Sequence, residues 1–294
     1  MRVVSTMQYR NLVENLEQQR DRNNRAQLQV SSGKRILNLK DDPLAAGEIS
    51  NLEADSVQSA RYLAAGDTAL GKLQYTDTVF SHMLNLVTEA VTTAGATISL
   101  TNDAAYLEAQ AQRVEGIRDE LVSSSNSMYQ GKYIFSGTAT MTTPYPTAAS
   151  AYQGNGNPIF IRADPETVVQ TNIPGDQVFQ GTDPQNVFQQ LTNLAADIRA
   201  HDTNLISQDM ADLQGVFDRM NGLETTIGNA VNQLDTIKAR LNSAKLQNTT
   251  LQGKLGDVNL AEAITDMTLS QSALQATLQS GAKIVQLSLI DYLG

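Results

Sequence analysis

The stretch "SSGKRILNLKDDP", residues 31 to 43, is where this chain comes closest to chemistry. Gly33 and Lys34 stand side by side, as in loops that cradle a phosphate, and Asp41 and Asp42 could hold a cation. A phosphate loop also needs a glycine five residues before the Gly-Lys pair, so that backbone N–H groups converge on the anion, and a Ser or Thr after it. Those positions hold Leu28 and Arg35. Calcium loops alternate their oxygen ligands along the chain rather than placing two carboxylates in succession. Asp42-Pro43 reads instead as a helix cap followed by a proline at the first helical position, where its missing N–H costs nothing. "GNGNPI", residues 154 to 159, has two glycines of a dinucleotide fingerprint but lacks the third and puts a proline where the helix should begin. It reads as a turn. His82 and His201 are the two histidines, and neither has a His, a Cys or paired carboxylates at ligand spacing, nor a nucleophile motif nearby. No catalytic, cofactor or metal site is expected.

Composition narrows the classes further. A net charge of -10 and a pI near 4.7 argue against a nucleic-acid binder. Residues 1–40 nevertheless carry eight Lys/Arg against three Asp/Glu, the asymmetry of a terminus that behaves separately from the body. With no cysteine there is no disulfide framework and no thiolate metal site. The N-terminal "MRVVSTMQYRNLVENLEQQ" lacks the apolar core of a cleavable signal, and no run approaches the roughly 20 apolar residues of a membrane span. The expectation is a soluble chain, exported, if at all, without a cleaved signal.

Three textures run along the sequence. Tyr9, Leu12, Leu16, Gln19, Asn23, Ala26 and Val30 recur at steps of three and four, one thin helical face, which Gly33 stops. Helices are predicted over 43–94 and over 103–129, the second after the cap "TND". Six of the seven prolines fall between 144 and 184, and "PIFIRA" and "ETVVQT" are β-prone runs between turn residues, so 138–182 reads as a small β-rich insert. Helix returns from Asp183-Pro184 and breaks at Gly253/Gly256. Leu260, Ile264, Met267, Gln271, Leu274, Leu278, Gly281 and Val285 then follow a 4-3-4-3 rhythm, the seam of a coiled coil or bundle helix, with Leu289 one turn further.

The fold class expected is mainly α, with nested N- and C-terminal helices. Its parts are a terminal coiled-coil domain (1–41 and 257–294), a helical bundle body (42–137 and 183–256) and the insert (138–182). The nesting brings the two ends side by side. Neither end carries enough apolar surface to offset the backbone entropy of ordering it, and the thin N-terminal stripe cannot cover the C-terminal one. The ends are therefore expected to order where many copies bury one another's stripes.

Residues along nearly the whole chain also resemble one family. "SSGKRILNLKDDPLAAGEIS" is similar to the segment after the first helix in flagellins and hook-associated proteins. "GKYIFSGT" (131–138) and "GDQVF" (175–179) resemble the flanks of the insert in the hook-associated members. The final "LAEAITDMTLSQSALQATLQSGAKIVQLSLIDYLG" resembles their C-terminus, and the likeness is weakest over 139–174. This resemblance implies a structural subunit at the junction of hook and filament, extracellular and exported unfolded by the flagellar type III apparatus. It implies as partners copies of the chain itself, the first hook-associated protein on the hook side, flagellin on the filament side and an export chaperone on the C-terminal region. Nucleic acid and membrane are not among them, and filament flagellin is the alternative. The assembly residues it points to are Leu12, Leu16, Val30, Leu260, Ile264, Met267, Leu274, Leu278, Val285 and Leu289. Gly33, Lys34, Arg35, Asp42 and Pro43 form a connector, whose cations Lys34, Arg35 and Lys40 are expected to meet acidic faces of neighbours.

Overall fold

A computed structural model describes residues 2–98 and 103–293, with side chains placed for residues 7, 9–98 and 103–283. Among them are seven helices and four short strands: α1 (Arg2–Ser32), α2 (Pro43–Ile98), α3 (Ala104–Ser125), β1 (Met128–Tyr129), β2 (Lys132–Tyr133), β3 (Phe160–Arg162), β4 (Val168–Gln170), α4 (Gly175–Phe179), α5 (Val187–Ala200), α6 (Thr203–Gly256) and α7 (Leu260–Leu293). The chain is mainly helical. It divides into two compact units, Met1–Gln58 with Ser243–Gly294, and Ser59–Asn242. This departs from the three-part division read from the sequence. The division falls inside α2 and α6, after Gln58 and after Asn242, rather than at the start of α2 and the end of α6 where the sequence placed it, and residues 138–182 belong to the larger unit.

The reason lies in the core of that unit. Tyr145, Ala163, Val169, Ile173, Val178 and Phe179 of the expected insert are buried in one cluster with Phe80 of α2, Leu121 of α3 and Phe188 of α5. The Tyr145 ring lies 4.9 Å from Phe188 and 5.3 Å from Phe179, both edge-on, and Phe135 meets Phe179 edge-on at 5.4 Å. Such pairs contribute about 0.5–1.5 kcal/mol beyond the area they bury. An insert that supplies this much of the shared core is not a separate body. Its β content is one antiparallel ladder of three pairs between β3 and β4. The loop joining the two strands is organised by Asp164, whose buried carboxylate accepts from the N–H groups of Glu166 and Thr167 and pairs with Arg240 of α6.

Local chemistry sets the helix ends. Asp103 caps α3 by accepting from the Ala105 N–H at 3.0 Å. The helix stops at Ser125, short of the 129 expected. Met128–Tyr129 instead pairs with Lys132–Tyr133 across Gln130 (φ 49°) and Gly131 (φ 75°), a two-residue hairpin with positive φ at both central positions. α5 is capped by Asn186, which accepts from the Gln189 N–H, and not by Asp183, whose carboxylate is drawn to Arg219 at 2.6 Å. His201 closes α5 in the left-handed region (φ 53°). Asp202 then accepts from the N–H groups of Asn204 and Leu205 to start α6.

Candidate assembly interface

In the smaller unit α1 and α7 run antiparallel against each other. Leu12 packs on Gly281, Ser270 Oγ reaches Asn23 Oδ1 at 3.4 Å, and Lys34 bridges backbone-to-backbone with Asp257. On α1 the described positions turned away from solvent are Leu12, Leu16, Gln19, Asn23, Ala26, Gln29 and Val30. On α7 they are Ala263, Met267, Ser270, Ala273, Leu274, Thr277 and Gly281. The α7 seam is thus made mostly of small side chains.

The apolar stripe expected on α7 therefore divides. Met267 and Leu274 are half-buried, whereas Leu260, Ile264 and Leu278 are 52%, 48% and 51% exposed. At about 100° per residue, Leu260, Ile264, Gln271 and Leu278 lie roughly 60–100° round the helix from the seam. Tyr9 and Val13 have the same offset on α1 and are exposed as well. Because the helices are antiparallel, both offsets point to one side of the pair. The pair carries two faces: a seam spent on its own partner helix, and a second, apolar face open to solvent. Val285 and Leu289 lie in α7 beyond the residues whose side chains are described.

The connector joins this pair to α2. Ser32 Oγ accepts from the Lys34 N–H at 3.2 Å, Gly33 turns the chain at φ 69°, and its carbonyl accepts from the Val258 N–H at 2.9 Å. No Cβ is comfortable at that φ, which is why glycine stands there. Arg35 donates its backbone N–H to the Gly256 carbonyl at 2.7 Å. Asp42 accepts from the Ala45 N–H at 3.1 Å, ahead of Pro43 at the first position of α2. Asp41, which the sequence offered as a metal ligand, accepts from the N–H groups of Leu37 and Asn38 and pairs with Arg25 at 3.1 Å. The Asn38 N–H, then that of Leu37 and the Arg25 charge, hold its carboxyl below the usual range. Asp42 is held low by the Ala45 N–H and then by Arg35.

Two of the three connector cations pair within the chain. Lys34 Nζ lies 2.6 Å from Asp257, and Arg35 lies 3.1 Å from Asp42 and 2.9 Å from the Leu255 carbonyl. Both clamp the chain to itself, an arrangement invisible in sequence because Lys34 and Asp257 are 223 residues apart. Of the histidines, His82 lies 3.1 Å from Glu120, and His201 forms the α5 cap. No described residues form a group of three or more His, Cys, Asp or Glu able to hold a metal, and no described helix is long and apolar enough to cross a membrane.

Residues 3–140 match the bacterial flagellin N-terminal helical region. Nearly half of the chain is thus similar to that helical region. It is 25% identical to flagellar hook-associated protein 3 of Escherichia coli K12 over 291 residues, 90% of either chain. It is equally similar, over 289 residues, to the protein of that name from Salmonella typhimurium LT2. Its fold is similar to that of the flagellar junction protein FlgL from Legionella pneumophila, with a TM-score of 0.60 at 13% identity, covering 71% of this chain and all of that one.

Proposed function

We propose that this chain is a structural subunit of the bacterial flagellum, set between the hook, through the first hook-associated protein, and the flagellin filament. It assembles through α1 and α7 after export through the flagellar type III route. Before export an export chaperone covers its C-terminal region. One observation carries the assembly role: the smaller unit buries only Ala26, Ala45 and Ala263 among its described hydrophobic residues, while Leu260, Ile264 and Leu278 face water. Helices left this open gain their missing burial from neighbours. The similarity to hook-associated protein 3 along 90% of the chain supports the junction position.

The test is motility of a strain lacking the protein, supplied with the double variant Ile264→Lys and Leu278→Lys. Both side chains are exposed, so the variant is expected to melt like the native chain, to be secreted, and to leave the strain non-motile. Full motility would refute assembly through this face. Adding excess native chain to hooks separates junction from filament. A limited layer is the expected result, and extension into long filaments would point to a flagellin.

A further inference from the structure

The larger unit pairs most of its cations internally. Arg113 binds Glu89, Arg199 binds both Glu108 and Glu115, Arg219 binds Asp183, and Lys238 binds Asp67. Lys72 and Lys132, like Arg61 and Arg162, make no ion pair among the described residues, and the charge of Lys132 reaches Lys72. The hairpin of β1 and β2 brings them together. The Tyr129 hydroxyl rests on Gly71, where an added Cβ would stand 2.6 Å from its oxygen, and the Tyr129 ring lies 5.7 Å from Tyr75. The register opposes Tyr129 to Lys132, so both side chains leave the same face of the hairpin, beside Lys72 on α2. Lys72 is half-buried there, and its ammonium is pushed below the usual lysine range by burial and then by Lys132. Beside them Tyr75, in ring contact with Tyr129, is 37% exposed.

We infer that Lys72 and Lys132, with Tyr75 and Tyr129 beside them, form a docking patch for carboxylates of a neighbouring copy of this chain. The inference rests on the assembly reading above and adds a second contact to it, on the body rather than at the ends. Two like charges held together with no anion between them are costly, and an incoming carboxylate relieves both at once. The chain is rich in such partners, with 31 Asp and Glu against 21 Lys and Arg. In an ordered array of copies, carboxylates are presented at high local concentration and in fixed register.

The test uses full-length chains, half of them labelled with 15N, assembled on isolated hooks and treated with a carbodiimide that joins amines directly to carboxylates. Mass spectrometry is expected to find Lys72 or Lys132 joined to an Asp or Glu of a chain carrying the other isotope. Links confined to single chains, or running to another flagellar protein, would overturn the inference. In parallel, the double variant Lys72→Gln and Lys132→Gln is expected to keep its melting temperature. Its occupancy of hooks at low salt should fall roughly fivefold, the equivalent of about one ion pair, while Lys72→Arg with Lys132→Arg restores it. Native-like occupancy by the glutamine variant, with the native chain assembling normally, would sink this inference and leave assembly through α7 standing. Failure of the native chain itself to add would sink both.

Discussion

The two units share a secondary structure and differ in what their helices turn inward. In the larger unit the inward positions hold Phe80, Phe135, Tyr145, Phe179 and Phe188, interlocked edge to face. In the smaller unit the α7 seam holds Ala263, Ser270, Thr277 and Gly281, and the larger side chains Leu260, Ile264 and Leu278 are turned outward. Helix formation alone therefore distinguishes nothing here. Packing does, because most helical stability in a protein comes from burying a face rather than from propensity. One unit completes its core within the chain. The other stops half-way and leaves Leu260, Ile264 and Leu278 on its surface.

The contrast can be broken at several strengths. Phe179→Ala removes a fully buried ring from the aromatic cluster and should cost about 3–5 kcal/mol, read as a lowered urea midpoint of the main unfolding transition. Leu16→Ala on the α1 seam should leave that midpoint in place and raise hydrogen exchange only in α1 and α7. A comparable fall in the main midpoint from both variants would show that the units unfold as one.

A middle-sized effect lies at the α5–α6 elbow. Asp209 Oδ2 is buried without a partner, and burial, then the hydrogen-bonded Asp197 carboxyl, push its pKa up to about 7. A carboxyl raised in the folded state holds its proton more tightly there than in the unfolded chain, so stability falls as pH rises from its ordinary 3.8 to about 7. Asp209→Asn keeps a donor toward Asp197 and removes that fall. Its gain over the native chain should be larger at pH 8 than at pH 5, on the order of 1 kcal/mol after solvent screening, by thermal melts at both values. Equal gains at the two pH values would remove titration as the cause.

The smallest effect belongs to the connector. Reversing Lys34 and Arg35 to Glu turns their pairs with Asp257 and Asp42 into repulsions between exposed groups. The main melting temperature should move by less than about 1 kcal/mol in equivalent stability, while exchange near Gly33 and Val258 quickens. Asp41 and Asp42, both held low, stabilise the connector above the ordinary carboxylate range, and that support is lost as pH falls through their depressed values.

Much of this was legible in the residues. From Leu12 to Val30 the 3-4 spacing on α1 marked positions that turn from solvent, though Tyr9 at its start is exposed, and Asp42-Pro43 and "TND" marked two helix starts, because caps and periodicity are local. What escaped was set by distance or by size. The α7 rhythm followed the largest apolar side chains, yet the seam against α1 uses the small ones one step round the helix. The pairing of Lys34 with Asp257 depends on a contact between the two ends of the sequence. Gln130-Gly131 closes a hairpin without the Asn-Gly signal that marks most of them, so the strand after α3 read as more helix. The insert read as a separate body because its prolines and tyrosines cluster, whereas those tyrosines complete the core of the helices around it.

The Gly281 notch that receives Leu12 has a geometric corollary. Helices joined through alanine, serine, threonine and glycine approach to the short end of the usual separation, about 8 Å between axes. A neighbour that presses on the side carrying Val13 and Leu278 meets both helices together, and so grips the beginning and the end of the same polypeptide in a single embrace.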